Sequence, residues 1–535
     1  MTVRRWPLLA MTALAACSLD PHYVRPDPAV PPSWPVGDSY LRSTEASLPS
    51  VDYRQILLDP HLQSIIARAL ENNRDLRIAA ANIESARALY RVQRAALLPQ
   101  IDATARSSTS NGLISSSTGS TGSTGITGGT GGTGTGGTAT GTGTGTGTGG
   151  AGSGGTGTGT SGTGTGTGTT TTGTTGSSGA RTVFSAQIGV TAFEVDLFGK
   201  IRSLARASLQ QYFATEAAAR ATRLTLVGDV ANAYLTLATD RSLLQIAIDT
   251  EKSAQRSVDL TDARLNGGVA PRTDLRQAQS VLFQAQSDKA NTTTLVAQDR
   301  NALELLVGAP VLDSDLPASI EAVDGMIAPL PAGLDSRVLL RRPDVVQAEF
   351  TLRAANARIG AARANFFPTI SLTAAAGFAS TALTSLFSGG AFSWSVAPAV
   401  SLPLFDGGAN SGNLAYAKAQ RDVAVATYQK TVQTAFREVA DALARRGTIN
   451  AQTGAQIAAE QAADDSNTLE TARYNGGIDP YLNVLVTQRT LYTARQSLAS
   501  ARLLRAQSLV TLYQTLGGDQ LLDPPPLPGA TPAPR

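Results

Sequence analysis

Across 535 residues the chain has one cysteine and two histidines, His22 and His61. That scarcity excludes a disulfide framework and a zinc site built from Cys and His. Charged residues make up 16% and aromatic residues 5% of the chain, against roughly 25% charged in an ordinary globular protein. After the first twenty residues or so, no run approaches about 18 consecutive apolar residues, which excludes a membrane-spanning helix in the mature chain. Neither sign of charge dominates: 44 Lys and Arg stand against 41 Asp and Glu. Two of the basic residues, Arg4 and Arg5, belong to a segment expected to be removed. With no basic stripe, the sequence predicts no nucleic-acid partner. No histidine lies near a plausible catalytic partner and there is no P-loop, so the sequence predicts no enzyme, no catalytic residues, no cofactor and no metal.

What is present begins with Met1 to Ala16, MTVRRWPLLAMTALAA. A basic start, a short apolar run and then small residues make a secretory signal peptide, residues 1–16. The sole cysteine follows in Leu14-Ala15-Ala16-Cys17, which resembles the lipobox of bacterial lipoproteins, where the cysteine is acylated and becomes the new N-terminus. Ser18 stands where an inner-membrane retention signal usually has Asp, which favours transfer to the outer membrane. Acyl chains contribute about 0.8 kcal/mol per buried CH₂, so several of them anchor a chain firmly. The expected location is the inner leaflet of a Gram-negative outer membrane, with its lipid as a partner.

The chain is duplicated. Arg264-Leu265-Asn266-Gly267-Gly268-Val269-Ala270-Pro271 returns as Arg473-Tyr474-Asn475-Gly476-Gly477-Ile478-Asp479-Pro480. Leu98-Pro99-Gln100-Ile101 returns as Phe367-Pro368-Thr369-Ile370, and Leu197-Phe198 as Leu404-Phe405. The offset shortens by about sixty residues between the last two matches, and the Gly/Thr-rich tract at 112–179 lies in that interval. The tract is therefore an insertion into one copy of a repeated unit. It has almost nothing apolar to bury, and is expected to be a flexible loop. Gly132-Thr133-Gly134-Thr135-Gly136-Gly137 within it fits the dinucleotide fingerprint G-x-G-x-x-G. Without a strand before it and a helix after it the match carries no chemistry.

Around the tract, Phe184, Ala186, Ile188, Val190 and Ala192 alternate with small or polar residues, as do Trp394, Val396, Pro398, Val400 and Leu402. Ile370, Leu372, Ala374 and Phe378 share one face of a third segment, and Ile101, Ala103 and Ala105 one face of a fourth. These are strands of about ten residues, the length of a lipid-facing barrel strand. Four strands cannot close a barrel, and a bilayer tolerates no open edge, so several chains must contribute to one barrel.

The rest is helical. Asp59-Pro60 opens a helix expected to run to about Leu97. About Gly199 to Leu265 is free of proline and predicts a rod of roughly 100 Å, and Pro271 starts a third helix running to about Val307. The second copy repeats the order: Pro343 to about Phe367, about Gly408 to Tyr474, and Pro480 to about Gly517. In the first rod Leu226, Val230, Ala233, Leu237, Leu244 and Ala247 follow coiled-coil spacing, with a miss at Asp240. The two shorter helices of each copy, end to end, match the length of the rod and are its expected partners.

Arg341-Arg342-Pro343-Asp344-Val345, then Ala348-Glu349, Ala354-Ala355-Asn356-Ala357, Ile359-Gly360 and Phe366-Phe367-Pro368-Thr369-Ile370-Ser371-Leu372 closely resemble the outer membrane factor family. These are the TolC-like channels, and specifically the lipoprotein branch (NodT-type) that serves resistance-nodulation-division efflux pumps. Tyr23-Val24-Arg25-Pro26 resembles that branch's Y-x-R-P signature, and Phe193-Glu194-Val195-Asp196-Leu197-Phe198-Gly199-Lys200 its W-E-x-D-L-F-G-x segment, with Phe at the usual Trp.

The resemblance implies a mixed fold: a membrane β-barrel of twelve strands, four from each chain of a homotrimer, continued by an α-helical barrel of long coiled-coil helices that forms a periplasmic tunnel. The domain order becomes a lipidated N-terminal extended segment at 17–58, a first repeat at 59–307, a linker at 308–342, a second repeat at 343–517 and a Pro-rich tail at 518–535. The function implied is the passive outer-membrane channel of a tripartite efflux pump exporting small toxic compounds or drugs. Its partners are a periplasmic adaptor protein and an inner-membrane pump. Adaptor contact falls on the tips, Gly267, Gly268, Val269 and Gly476, Gly477, Ile478. The periplasmic gate falls on Asp274, Tyr474, Asp479 and Asn483, where family members pair a Tyr before the second tip with an Asp after the first. Asn483 departs from the acid common there, as does Val486 from the second acid of some members, and Asp479 is an acid within the turn itself. A protein-secretion channel and a surface adhesin or stalk lipoprotein remain as alternatives at this point. The lipobox and the Arg341–Val345 segment favour small-molecule efflux over the first, and strands of membrane length argue against the second.

Overall fold

The computed structural model describes residues 19–27, 30–31, 53–110, 181–323, 325–327 and 336–518. The signal peptide, Cys17, the Gly/Thr-rich tract and the tail from 519 lie outside the described residues. The chain divides into two compact units: residues 101–189 with 374–395, and the remainder.

The strands are β1 (Ile101–Ser110), β2 (Arg181–Val195), β3 (Thr369–Ser380) and β4 (Phe392–Ser401), ordered β1-β2-β3-β4 in one sheet. β1 and β4 are its two edges. On β4 the large side chains of Phe392, Trp394, Val396 and Val400 all stand exposed on alternate positions, the apolar face that the alternation predicts. Glycine serves close backbone approach here: a Cβ on Gly377 would fall 2.3 Å from the Ala186 carbonyl oxygen. One expectation needs adjusting. β2 runs to 15 residues rather than about ten, and Ala192, at φ +50°, leaves the regular strand conformation that the alternation assumed for it.

The other unit is helical: α1 (Tyr53–Ile56), α2 (Pro60–Asn72), α3 (Arg74–Ala95), α4 (Lys200–Asn266), α5 (Arg272–Val307), α6 (Ile320–Val323), α7 (Pro343–Ala364), α8 (Ala409–Asn475) and α9 (Tyr481–Thr515). The rods α4 and α8 are each 67 residues long, about 100 Å of helix, so the duplication holds to the residue. α4 packs against α3 and α5, α8 against α7 and α9, and α7 also packs against α4, across the repeat. Each rod starts after a left-handed glycine, Gly199 or Gly408. An aspartate ahead of it accepts from the first free amides: Asp196 from Ile201 N and Arg202 N, Asp406 from Gly408 N and Asn410 N. Those amides hold the Asp406 carboxyl below its ordinary pKa.

The first helix departs from expectation. It does not run from Pro60 to Leu97 but breaks at Asn73 (φ −57°, ψ 136°) into α2 and α3. The Asn73 side chain accepts from Leu76 N at 3.1 Å as the cap of α3, and donates to Leu306 O at 2.8 Å. A side-chain amide that satisfies both a helix start and the end of a neighbouring helix stabilises the break. The segment to residue 58 is likewise not extended throughout, since α1 closes a helical turn whose Tyr53 and Ile56 are buried. The span 308–342 is more than a spacer: Val311, Leu316, Ile320, Val323, Ile327 and Leu339 are all part of the main core.

That core lies at mid-length of the rods, around 224–238 of α4 and 428–443 of α8, with α2 and the C-terminal half of α9. Two polar groups tie it. Asp59 caps α2 through His61 N and accepts from the buried Tyr234 hydroxyl at 2.7 Å. Arg342, buried, donates to Asp344 and Glu438 at 2.8 Å each and to Thr515 O at 2.9 Å, joining α7, α8 and the end of α9.

Candidate functional site

The two helical hairpins α4–α5 and α8–α9 end in matching turns. In the first, Val269 N donates to Arg264 O and Gly268 N to Leu265 O; in the second, Ile478 N donates to Arg473 O and Gly477 N to Tyr474 O. Both are Schellman closures, and Gly268 (φ +72°) and Gly477 (φ +73°) hold the left-handed position that glycine occupies most cheaply. Pro271 and Pro480 then sit extended as the caps of α5 and α9. The side chains left at the summits, Val269 and Ile478, are 77% and 68% exposed. Gly267, Gly268, Gly476 and Gly477 shape the turns and those two residues supply their surface.

Beneath the tips is a small apolar cluster of Ala278, Tyr474, Tyr481, Val484 and Leu485. The rings of Tyr474 and Tyr481 are 5.2 Å apart. Burial raises the Tyr481 phenol pKa, and the nearby Asp274 charge adds to the rise. Asp274 sits in the first turn of α5, and Asn483 is exposed on α9. The expected Tyr474–Asp274 hydrogen bond is not formed within the chain: the Tyr474 hydroxyl is buried without a hydrogen-bond partner. Asp479, the acid within the second turn, is engaged. It pairs with Arg473 of its own turn, which holds its carboxyl below the ordinary range, so it presents a neutralised pair rather than a free acid.

The residue that sequence reasoning missed is Arg264. Its guanidinium lies 4.2 Å from the centre of the Tyr474 ring and donates to Tyr474 O and Asn475 O at 3.3–3.4 Å. Its repeat counterpart Arg473, exposed, pairs with Asp479 instead, because Asp479 replaces Ala270 in the second turn. The charge that Asp479 adds, among the three positions at which the two turns differ, was the available signal. Further from the tips, the Tyr492 hydroxyl on α9 donates to Asp288 on α5 at 2.9 Å, a second link between the hairpins. It borders a cleft of about 480 Å³ among the four helices, lined by Asp249, Ser280, Gln284, Asn467 and Arg495. Arg495 is engaged by Glu460 and Asp464 of its own hairpin. Among the described residues no cluster of His, Cys, Asp and Glu could hold a metal ion, and no helix is long and apolar enough to cross a membrane. The arrangement joins the two hairpins near their ends.

The sequence profile described as outer membrane efflux protein matches residues 65–132, 153–309 and 334–518. One of its two gaps falls inside the Gly/Thr tract, the other in the stretch joining the repeats. The solvent efflux pump outer membrane protein SrpC of Pseudomonas putida is 39% identical over 524 residues, covering 97% of this chain and 98% of that one. The outer membrane protein OprJ of Pseudomonas aeruginosa is 34% identical over 513 residues, covering 96% and 94%. Among solved structures, the open state of the MtrE outer membrane channel of Neisseria gonorrhoeae superposes with a TM-score of 0.74 at 30% identity, covering 94% of this chain and 99% of that one.

Proposed function

The chain belongs to the outer membrane efflux protein family, as an outer-membrane component of an efflux pump, and from that premise we propose that it is the passive conduit of a tripartite system. Three copies close one barrel of twelve strands, and their rods form a helical tunnel. The observation that carries this reading is the four-stranded sheet with both edges, β1 and β4, left open. Unpaired backbone groups cost several kcal/mol each in lipid, so β4 of one copy must pair with β1 of the next until the ring closes. The chain supplies no chemistry to the cargo, and the energy comes from the inner-membrane pump. Relatives carry names for solvent, toluene and antibiotic efflux, which supports small, largely apolar toxic compounds as cargo.

In this reading Cys17 is acylated and tethers the N-terminus to the inner leaflet of the outer membrane. The exposed Val269 and Ile478 meet the periplasmic adaptor. The closed periplasmic end is held by contacts between the tips centred on Tyr474 and Asp274, with Arg264 as a third member. Asp479 and Asn483 leave the pore without a free acidic ring. The test is the mass and conductance of the detergent-extracted protein. Particles of three chains that form discrete channels in planar bilayers are expected; a monomeric mass, or a trimer that never conducts, overturns the proposal.

A further inference from the structure

The rod α4 shares one groove with α7 and another with α3, and among the described residues the chain fills only the first. There Arg363 of α7 donates to Leu19 O at 3.1 Å and Asn356 to Pro21 O at 2.8 Å. Arg206 of α4 pairs with Asp20 at 2.9 Å. The α3–α4 groove is an open cavity of about 410 Å³, lined by Tyr90, Arg94, Leu97, Arg202, Arg206 and Leu209. Arg94 is the repeat counterpart of Arg363, at the offset that relates Pro99 to Pro368. Arg363 finds its acceptor in the N-terminal segment. Arg94 has no hydrogen-bonding or ionic partner among the described residues.

The charges of the open groove do not cancel. Arg202 donates to the Asp196 carboxylate at 3.1 Å and Arg206 is held by Asp20, so each of these has its own counter-charge. Arg94 leaves one positive charge uncompensated, in a lining that holds no carboxylate. A guanidinium fork matches a phosphate, which it can bind through two parallel N–H bonds. Beside it, half-buried Leu97 and Leu209 give the groove an apolar wall. Phosphate and apolar recognition side by side suit a glycerophospholipid.

The position in the fold suits the same ligand. Arg202 also donates to the carbonyls of Asp196 and Leu197 at 2.9 and 3.4 Å, the two residues that follow β2. Leu98, next to the lining, is 69% exposed, and Leu404 and Phe405, just past β4, are 90% and 91% exposed. Large apolar side chains left bare at strand ends mark the boundary between lipid and water. The groove therefore lies at headgroup depth.

We propose that the α3–α4 groove binds one anionic glycerophospholipid from the periplasmic leaflet. Its phosphate rests on Arg94, with Arg202 and Arg206 at the rim, and an acyl chain runs along Leu97 and Leu98. An ammonium headgroup would meet three guanidiniums and no free carboxylate, so phosphatidylglycerol is preferred over phosphatidylethanolamine. The bound lipid attaches the helical unit to the bilayer independently of any lipid carried by the chain itself. The proposal rests on the reading of that unit as periplasmic.

The test uses the full-length protein, delipidated in detergent and titrated with phosphatidylglycerol, phosphatidylethanolamine or inorganic phosphate, with bound lipid counted by native mass spectrometry. Wild type should retain phosphatidylglycerol, up to one per chain, about tenfold more tightly than phosphatidylethanolamine. Arg94→Gln should weaken that retention roughly tenfold or more, the scale of one charge-assisted hydrogen bond. Arg94→Lys, which keeps the charge without the fork, should recover part of it. Lys418→Gln removes an exposed cation from α8 at the position equivalent to Leu209 and should change nothing. Equal losses in Arg94→Gln and Lys418→Gln, or no loss in Arg94→Gln, overturn the groove. Phosphatidylethanolamine retained as tightly overturns the headgroup assignment, and displacement of the lipid by equimolar inorganic phosphate overturns a lipid site in favour of a free-phosphate one. The same spectra weigh the particle. A trimer that holds no lipid defeats this site and leaves the conduit reading standing, whereas a lipid-bound monomer does the reverse.

Discussion

Arg264 of the first tip covers the ring of Tyr474 in the second, with the guanidinium carbon 4.2 Å from the ring centre, and the same side chain donates to the last carbonyls of α8. A cation near a helix C-terminus gains from the macrodipole as well as from those hydrogen bonds. A cation–π contact of about 0.5–1 kcal/mol and hydrogen bonds of about 1 kcal/mol together make this link worth roughly 1–3 kcal/mol per chain. Arg264→Ala should raise the open probability of single channels in planar bilayers, and Arg264→Lys, which keeps the charge but not the planar fork, should recover only part. Tyr474→Phe preserves the ring and so the Arg264 contact. Any gain in opening from Tyr474→Phe, matched by Asp274→Ala, isolates the Tyr474–Asp274 latch. Unchanged conductance in both of those variants removes that latch from the gate.

The Tyr492–Asp288 bond is the second link between the hairpins. Burial, and then the Asp288 charge, push the phenol pKa up, so the hydroxyl keeps its proton and the bond persists through neutral and mildly alkaline pH. Tyr492→Phe should weaken closure by about 1.5–3 kcal/mol per chain. Tyr492 lies eleven residues, about 17 Å, along α9 from Tyr481, whose ring packs on that of Tyr474, so the effects of Tyr492→Phe and Arg264→Ala should add. A double variant that opens no more than either single one would show a shared element rather than two links.

Much of this was legible in the chain, and the rest failed for identifiable reasons. The rods, the four strands and the tips were readable because periodicity and a second copy reported them twice. The break at Asn73 was not, since the residue that interrupts the helix also caps the next one, and its other partner, Leu306, is remote in sequence. The stretch after Val307 reads as a linker because its buried residues, Val311, Leu316, Ile320 and Val323, follow no single period. At the site, family resemblance pointed to Asp274 and Tyr474, whereas Arg264 required seeing that Asp479 occupies its counterpart Arg473. Pairings between side chains far apart in the chain leave no local pattern.

Asp240, the polar miss in the α4 seam, meets Asp299 of α5, and burial together with the Asp240 charge pushes the Asp299 carboxyl up to about 6. A raised acid contributes stability that is complete below its ordinary pKa of 3.8 and is lost as pH climbs through about 6. Asp299→Asn should therefore melt higher than wild type at pH 7.5, with the advantage vanishing below about pH 4. Parallel melting curves at both values would show that the pair carries no such penalty.

The Gly/Thr tract interrupts the family match as well as the repeat. The equivalent connection in the second copy, between β3 and β4, needs only residues 381–391. Excision of Gly119 to Gly176 should leave trimers and single-channel conductance unchanged. Loss of the trimer on native gels would assign the tract a role in assembly.

The tips themselves separate two roles that the repeat gives to neighbouring residues. At Gly268 and Gly477 a Cβ would meet no atom within 4 Å, so alanine there costs only the left-handed backbone, about 1–2 kcal/mol. Val269 and Ile478 next to them make the exposed surface, and the hydrogen bonds of the turn use their backbone amides, not their side chains. Val269→Asp and Ile478→Asp should therefore keep folding, trimer mass and intrinsic conductance. In cells that supply the adaptor and the pump they should abolish resistance, because a charge at the centre of an apolar docking surface loses its hydration without gaining a partner. Gly268→Ala should show the reverse pattern: a lower melting temperature with the docking surface intact, and resistance retained at permissive temperature. Full resistance in the double aspartate variant would move the adaptor contact off the tips.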